Sequence, residues 1–152
     1  MANSYRDLIV WQRTVEMTLA LYRLTEEFPK QEMFGLTSQL RRAGVSVASN
    51  IAEGWGRQSE GEYKHFLGMS RGSNMEIQTQ LLIASKLGFG DPEKLTLAEQ
   101  LSHETGKMLV SLMKKIRSRL PFLFAVNCSL FAASQYSLGY IFDMRSCQPR
   151  WS

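Results

Sequence analysis

Apolar residues recur at helical spacing in one stretch of the chain, between Gly35 and Arg57. Successive members are four, three, four and four residues apart: Leu36, Leu40, Ala43, Val47 and Ile51. This period is that of one face of an α-helix, so the stretch predicts a helix that buries this face.

The ends and the middle of this helix carry their own signals. Thr37 or Ser38 is predicted to cap its start, because a short side-chain oxygen accepts a hydrogen bond from a free amide of the first turn. Gly54 and Gly56 are predicted to end it. Gly44 lies in the middle and predicts close approach by a neighbouring helix. We expect that neighbour to be the small, polar middle of the third helix.

Three further stretches share the helical period. In the first, the predicted inward positions are Leu8, Trp11, Val15, Thr18 and Tyr22, widened by Leu19, Leu21 and Leu24. The third begins at the capping-box pattern of Ser59 and Glu62 and extends to about Leu87. Its inward positions are Tyr63, Leu67, Ser70, Asn74, Ile77, Leu81 and Ala84. The fourth follows a glycine-rich turn and ends near Leu120, with Ala98, Leu101, Leu109, Leu112, Ile116 and Leu120 on one side.

Residues 1–120 are therefore predicted to form a single all-α domain. No segment in this range alternates apolar and polar residues, so no sheet is expected. Four helices joined by short loops favour an antiparallel, up-down-up-down four-helix bundle.

Residues 121–152 have a different character and are treated as a separate apolar tail. No charged residue occurs from Pro121 to Phe142, and such a run is long enough to cross a bilayer. Polar side chains within it argue against a membrane span: Asn127, Ser129, Ser134, Gln135 and Ser137. The alternatives are an extra packing element, an oligomer contact, a disordered extension or a weak membrane segment.

Composition adds a few limits. The formal net charge of +4 is compatible with a nucleic-acid partner without requiring one. Both cysteines, Cys128 and Cys147, fall in the tail, so the bundle has no disulfide framework. The first residues lack the pattern of a secretory signal, and together these features predict a cytoplasmic protein.

The helix between Gly35 and Arg57 also carries a polar stripe beside its apolar one. Its members include Gln39, Arg42, Ser46, Asn50 and Glu53. A solvated surface and a subunit contact or polyanion-facing surface are both open interpretations.

The same stretch, GLTSQLRRAGVSVASNIAEGWGR, resembles the four-helix-bundle family encoded by intervening sequences in bacterial large-subunit rRNA genes. The accessory protein of diversity-generating retroelements is similar to that family. Supporting residues elsewhere are Val10-Trp11-Gln12, Phe28-Pro29, Gly72-Ser73 and Glu76. The resemblance covers about residues 5 to 120. It implies a homopentamer, a role in binding RNA or DNA, and no catalysis. Ala48 departs from a proline often found in the family.

The sequence contains few residues that could support catalysis or metal binding. Glu62 and His65 match one half of a di-iron motif, but a second such pair is missing because Glu99 and His103 are four residues apart. With two histidines and no cysteine in the bundle, we predict no cofactor, no metal and no enzymatic activity.

Basic residues are the stronger functional signal. The predicted phosphate-binding residues are Arg41, Arg42, Arg57, Lys114, Lys115, Arg117 and Arg119. Arg71 is basic too, yet a single bundle scatters these charges, and a ring of five copies would repeat each patch. The predicted interface residues are Gln39, Ser46, Asn50 and Glu53. The alternative function is an adaptor oligomer that binds a protein such as a reverse transcriptase.

Overall fold

The structure, a computed structural model, describes residues 3–117, with only the backbone of Arg117. Four α-helices make up most of this range: α1 (Ile9–Thr25), α2 (Leu36–Trp55), α3 (Glu60–Leu87) and α4 (Pro92–Arg117). Short 3-10 turns precede α1 at Tyr5–Asp7 and precede α2 at Lys30–Met33. The described range contains no strand, and none of its helices is both long and apolar enough for a membrane span.

The helices pack in a closed ring, each against the next in the chain and α4 against α1. Within the described residues, the diagonal pairs α1 with α3 and α2 with α4 bring no Cα atoms within 8 Å of each other. Short connections and this ring give the antiparallel up-down-up-down bundle, so the predicted fold class is confirmed. The predicted tail, residues 121–152, lies outside the described residues.

The core follows the predicted stripes in α2 and α3. Leu40, Val47 and Ile51 of α2 are fully buried, and Leu67, Ser70, Asn74, Ile77, Leu81 and Ala84 of α3 are fully buried as well. Each such aliphatic side chain contributes roughly 1.5–3 kcal/mol through burial. Core packing therefore accounts for both stripes.

The inward face predicted for α1 was partly wrong. Leu19 is 51% exposed and Tyr22 is 39% exposed, although both were placed inward. Leu21 and Leu24 lie in the core as predicted, and Val10, Thr14, Met17 and Ala20 join them from an adjoining face. Apolar side chains surround much of α1, so its period alone does not select the face that the other helices cover.

The start of α2 also differs from the prediction. Thr37 is buried, and no side chain of α2 caps the helix. Instead, the carboxylate of Glu32 in the preceding 3-10 turn accepts a hydrogen bond from the backbone N–H of Leu36 at 2.9 Å. This carboxylate satisfies one of the free amides of the first turn and is favoured by the helix dipole.

Gly54 and Gly44 serve as close-packing positions within α2. Gly54 does not end the helix, which continues to Trp55. A Cβ at Gly54 would lie 2.8 Å from Cβ of Phe66, on α3. Gly44 faces α1 and not α3: Thr18 donates a hydrogen bond from Oγ1 to its carbonyl oxygen at 3.0 Å.

The termini of α3 match the sequence signals. Ser59 Oγ accepts a hydrogen bond from the N–H of Glu62 at 3.1 Å and donates one to the Glu62 carboxylate at 2.9 Å. At the other end Gly88 has φ of 68° and Gly90 has φ of 77°, a left-handed conformation that glycine adopts without a Cβ clash. The chain then reverses into α4.

Candidate nucleic-acid interface

Arg41 bridges two helices. Its Nε donates a hydrogen bond to Oγ1 of Thr25 at 2.8 Å, and its guanidinium lies 4.8 Å from the ring centre of Tyr22. Both partners belong to α1, so this predicted phosphate-binding residue holds α1 and α2 together. Its neighbour Arg42 is exposed and donates to Oε1 of Gln39 at 2.7 Å.

Arg57 is also engaged within the chain. It donates to Oε1 of Glu53 at 2.6 Å and lies 4.7 Å from the ring centre of Phe66. Arg57 follows the end of α2, whose last residue, Trp55, is fourteen positions or about 21 Å along the helix from Arg41. The structure therefore does not bring Arg41 and Arg57 into one patch.

The predicted cations at the end of α4 point in different directions. Lys114 lines a groove between α3 and α4, whereas Lys115 lines a hollow beside the start of α1, with Asp7, Leu8 and Ile9. The side chain of Arg117 and all of Arg119 lie outside the described part of the chain, so their predicted role stays a prediction.

The groove beside Lys114 is the clearest concave basic surface in the described residues. We call it the α3/α4 groove; it is open and has a volume of about 470 Å³. Its lining comprises Arg71, Met75 and Gln78 of α3 and His103, Gly106, Lys107, Val110, Ser111 and Lys114 of α4. No carboxylate is among these side chains.

Three unpaired cations line the α3/α4 groove. Among the described residues, Arg71, Lys107 and Lys114 have neither a hydrogen bond nor an ion pair through their side chains. By contrast, Arg13, Arg57 and Lys94 form ion pairs with acidic neighbours. The hydrogen bond that Arg13 donates to Glu16, reinforced by the charge of Glu104, raises the pKa of Arg13 above its usual range.

Lys94 shows the same contrast at the opposite end of α4. A hydrogen bond to Glu27 raises the pKa of Lys94, and the two side chains tie α4 to the end of α1. The groove cations lack such partners within residues 3–117, so their positive charge is not neutralised there by an acidic neighbour.

The floor of the groove is polar and close-packed. Asn74 Nδ2 donates to the carbonyl oxygen of Ser102 at 3.0 Å, and Ser102 Oγ donates to Asn74 Oδ1 at 3.1 Å. Gly106 permits this approach, since a Cβ there would lie 3.1 Å from Asn74 Nδ2. The pair fixes α3 against α4 and so sets the positions of the groove side chains.

A second hollow of about 410 Å³ continues the groove toward the start of α4. It shares Met75, Gln78 and His103 with the first and adds Leu82 and Glu99. Charge therefore changes along the seam, from three cations at one end to exposed apolar side chains and one carboxylate at the other.

The predicted interface residues of α2 are paired within the chain. The hydroxyls of Ser46 and Ser73 are hydrogen-bonded at 2.9 Å, and Asn50 Nδ2 donates to the carbonyl oxygen of Ser46 at 2.8 Å. Gln39 and Glu53 hold Arg42 and Arg57, as described above. Whether this stripe contacts another subunit stays a prediction.

Sequence reasoning did not identify Gln78, His103 and Lys107 as a group with Lys114. A signal was present, because Arg71, Met75 and Gln78 are spaced by four and three residues on one face of α3. The spacing gives a face for each helix, but it does not show which two faces meet.

The half-motif of Glu62 and His65 does not form a metal centre in the described range, where no three potential ligands cluster. Glu62 instead accepts the hydrogen bond from Ser59, and His65 packs edge-on against Phe66. The Glu62 carboxylate is therefore engaged in a hydrogen bond at the N-terminus of α3.

Comparisons with known proteins agree with this bundle. A protein of unknown function from the S23 ribosomal protein family of Bacteroides thetaiotaomicron VPI-5482 has a similar structure, with a TM-score of 0.65. The two chains are 22% identical, and the match covers 70% of this chain and 99% of the other. This likeness shows the shared fold. No curated protein matches the sequence. The family model described as 23S rRNA-intervening sequence protein matches residues 6–111. The chain therefore belongs to the family of 23S rRNA-intervening sequence proteins.

Proposed function

We propose that this protein is a cytoplasmic, non-enzymatic bundle that self-associates and binds RNA or structured DNA, with the α3/α4 groove as its main contact. The observation that carries the proposal is that Arg71, Lys107 and Lys114 line one groove, without a partner and without a carboxylate beside them in the described part of the chain. Lysine and arginine that are free of partners bind phosphate without first breaking an internal ion pair.

Contacts to phosphate determine how the affinity should depend on sequence and on salt. Phosphate contacts fix position on a nucleic acid and carry no sequence information directly. Their strength depends on counterion release, so affinity falls as salt rises. We therefore expect binding that varies little among sequences and weakens steeply with ionic strength.

Self-association would increase the number of cationic grooves in one particle. One groove supplies three cations, which gives weak binding, whereas five subunits around an axis repeat the groove five times. Two features of the α2 and α3 surface support a subunit contact. One is the polar stripe along α2, and the other is the set of exposed apolar side chains on α3 at Met69, Ile83 and Leu87. Light scattering on the full chain measures the state directly, and a monomer at all working concentrations would contradict this part of the proposal.

The binding test compares two sets of charge removals. One variant replaces Arg71, Lys107 and Lys114 by glutamine. The matched control replaces Arg23, Lys30 and Lys86, which are exposed cations outside the groove. Each lowers the formal net charge from +4 to +1. Fluorescence anisotropy with a mixed-sequence RNA gives affinities at several salt concentrations.

We expect the groove variant to lose affinity on the order of 10- to 100-fold at low salt, and the wild-type affinity to fall steeply between about 50 and 200 mM salt. The control should lose much less. Equal losses in the two variants would assign binding to net charge and not to the groove. Absence of wild-type binding at low salt would refute the nucleic-acid proposal.

An adaptor for a protein partner is the second candidate. It is favoured by the turn before α2, where Phe34 is 90% exposed and Met33 is 56% exposed. An aromatic side chain this exposed at a turn is typical of a protein-binding anchor. Substitution of Phe34 by serine should leave RNA affinity unchanged and abolish capture of such a partner, which separates the two functions.

A further inference from the structure

The cations of the α3/α4 groove and the apolar side chains farther along the same seam together indicate the class of ligand that binds there. Building on the proposed function, we infer that its occupant is a single strand of RNA, with phosphates at the cationic end and one unstacked base over Met75, Gln78 and His103. The inference adds the substrate class, since the phosphate contacts alone do not separate a single strand from a duplex.

The shape of the site favours a single strand. The groove lies in the seam between two packed helices, whose axes are typically about 8–10 Å apart. An RNA duplex presents its phosphates on a rigid, convex surface, with its bases stacked inside. A duplex therefore reaches the rims of such a groove, while the hollow beneath them stays unfilled. A single strand is flexible enough to enter.

The chemistry changes where a base would lie. Met75 and Leu82 are exposed apolar side chains in the second hollow, and they suit the flat face of a base. The imidazole of His103 adds a stacking surface. Gln78 offers an amide with both donors and an acceptor, and its contact with the carbonyl oxygen of Ser102 is long, at 3.5 Å.

The order of the groups matches one step along a strand. His103 and Lys107 are four residues apart on α4, so they lie one turn, or about 6 Å, from each other on one face. A phosphate held by Lys107 thus brings the adjoining base beside His103 and Gln78. Farther along, Glu99 repels a phosphate but tolerates a neutral base.

The test compares oligonucleotides by fluorescence anisotropy at low salt. The probes are a 12-nucleotide unpaired RNA, the duplex formed with its complement, and an abasic strand of the same length. We expect the unpaired RNA to bind at least about 10-fold more tightly than the duplex or the abasic strand, because base stacking adds to phosphate contact. Equal or tighter binding of the duplex would overturn the single-strand inference and leave the proposed function standing. If none of the three probes bound, both would fail.

Single substitutions in the groove test where the base binds. Met75→Ala and His103→Ala, both at exposed positions, should each weaken binding of the unpaired RNA by about 5- to 10-fold. They should leave the salt dependence and the affinity for the abasic strand unchanged. Leu19→Ala is the matched control, since Leu19 is an exposed apolar residue of α1 outside the groove. Circular dichroism confirms that each variant folds. An equal loss in the control, or none in either groove variant, would refute the placement of the base.

Discussion

Helix α3 meets its two neighbours in different ways. Toward α2 the seam is closed: Gly54 allows direct contact with Phe66, Ser70 donates to the carbonyl oxygen of Val47 at 3.0 Å, and the hydroxyls of Ser46 and Ser73 bond across it. Toward α4 the buried floor is equally well bonded, but its upper edge opens into the α3/α4 groove.

This difference extends to the cations. Arg41 of α2 and Arg57, just beyond its end, bond to side chains of the chain itself, and each lies over an aromatic ring. Arg71, Lys107 and Lys114 have no such partner in the described residues. Basic residues near α2 therefore contribute to stability, while those of the groove are available for binding. The predictions below test this division, beginning with the largest effect.

Gly54→Ala tests the closed seam. The added Cβ would lie 2.8 Å from Phe66 Cβ and 3.0 Å from Tyr63 Cδ2, so α2 and α3 must move apart. Overpacking of this kind costs about 1–3 kcal/mol, which exceeds the helix propensity gained from alanine. Urea unfolding at fixed protein concentration measures the loss.

Gly72→Ala is the control for that substitution. Nothing lies within 4 Å of the Cβ position at Gly72, so the exchange should stabilise α3 by roughly 0.5–1 kcal/mol. If Gly54→Ala, like Gly72→Ala, did not lower the free energy of unfolding, the α2/α3 seam would be looser than the contacts of Gly54 indicate.

Arg41→Gln and Lys107→Gln compare one engaged and one unpaired cation. We expect Arg41→Gln to lower the free energy of unfolding by about 1 kcal/mol, because it removes the hydrogen bond to Thr25 and the contact with Tyr22. Lys107→Gln should change stability by less than about 0.5 kcal/mol. For RNA binding we expect the reverse: Lys107→Gln should weaken the affinity more than Arg41→Gln does. Weaker RNA binding by Arg41→Gln alone would place phosphate on α2 instead.

The sequence predicted the fold well and the site only in outline. The stripes of α2 and α3 are strictly periodic, so Leu40, Val47 and Leu67 were placed in the core correctly. The role of Arg41 was not predictable, because its partners Thr25 and Tyr22 belong to another helix. The groove was missed for the same physical reason. Its charge depends on which faces of α3 and α4 meet, and on the lack of a carboxylate among the described residues that line it.

Tyr63→Phe gives a small expected gain in stability and probes the edge of the closed seam. The Tyr63 hydroxyl is buried without a hydrogen-bond partner among the described residues, while its ring packs edge-on against Trp55. Burial raises the pKa of Tyr63 by disfavouring the charged phenolate. Phenylalanine keeps the ring and removes the unpaired hydroxyl, so we expect stability at neutral pH to rise by about 0.5 kcal/mol.

The pH dependence gives a second, independent measurement for the same residue. In the unfolded chain the tyrosine pKa is about 10, lower than in the bundle. Above that pH the unfolded state loses its proton more readily than the folded state, so the Tyr63 contribution to the free energy of unfolding falls as pH rises. The difference in stability between wild type and Tyr63→Phe should therefore widen above about pH 10 and be constant below it. A difference that is constant over the whole range would mean that the phenolate is hydrated, and the seam at Tyr63 would then be as open as the one that faces α4.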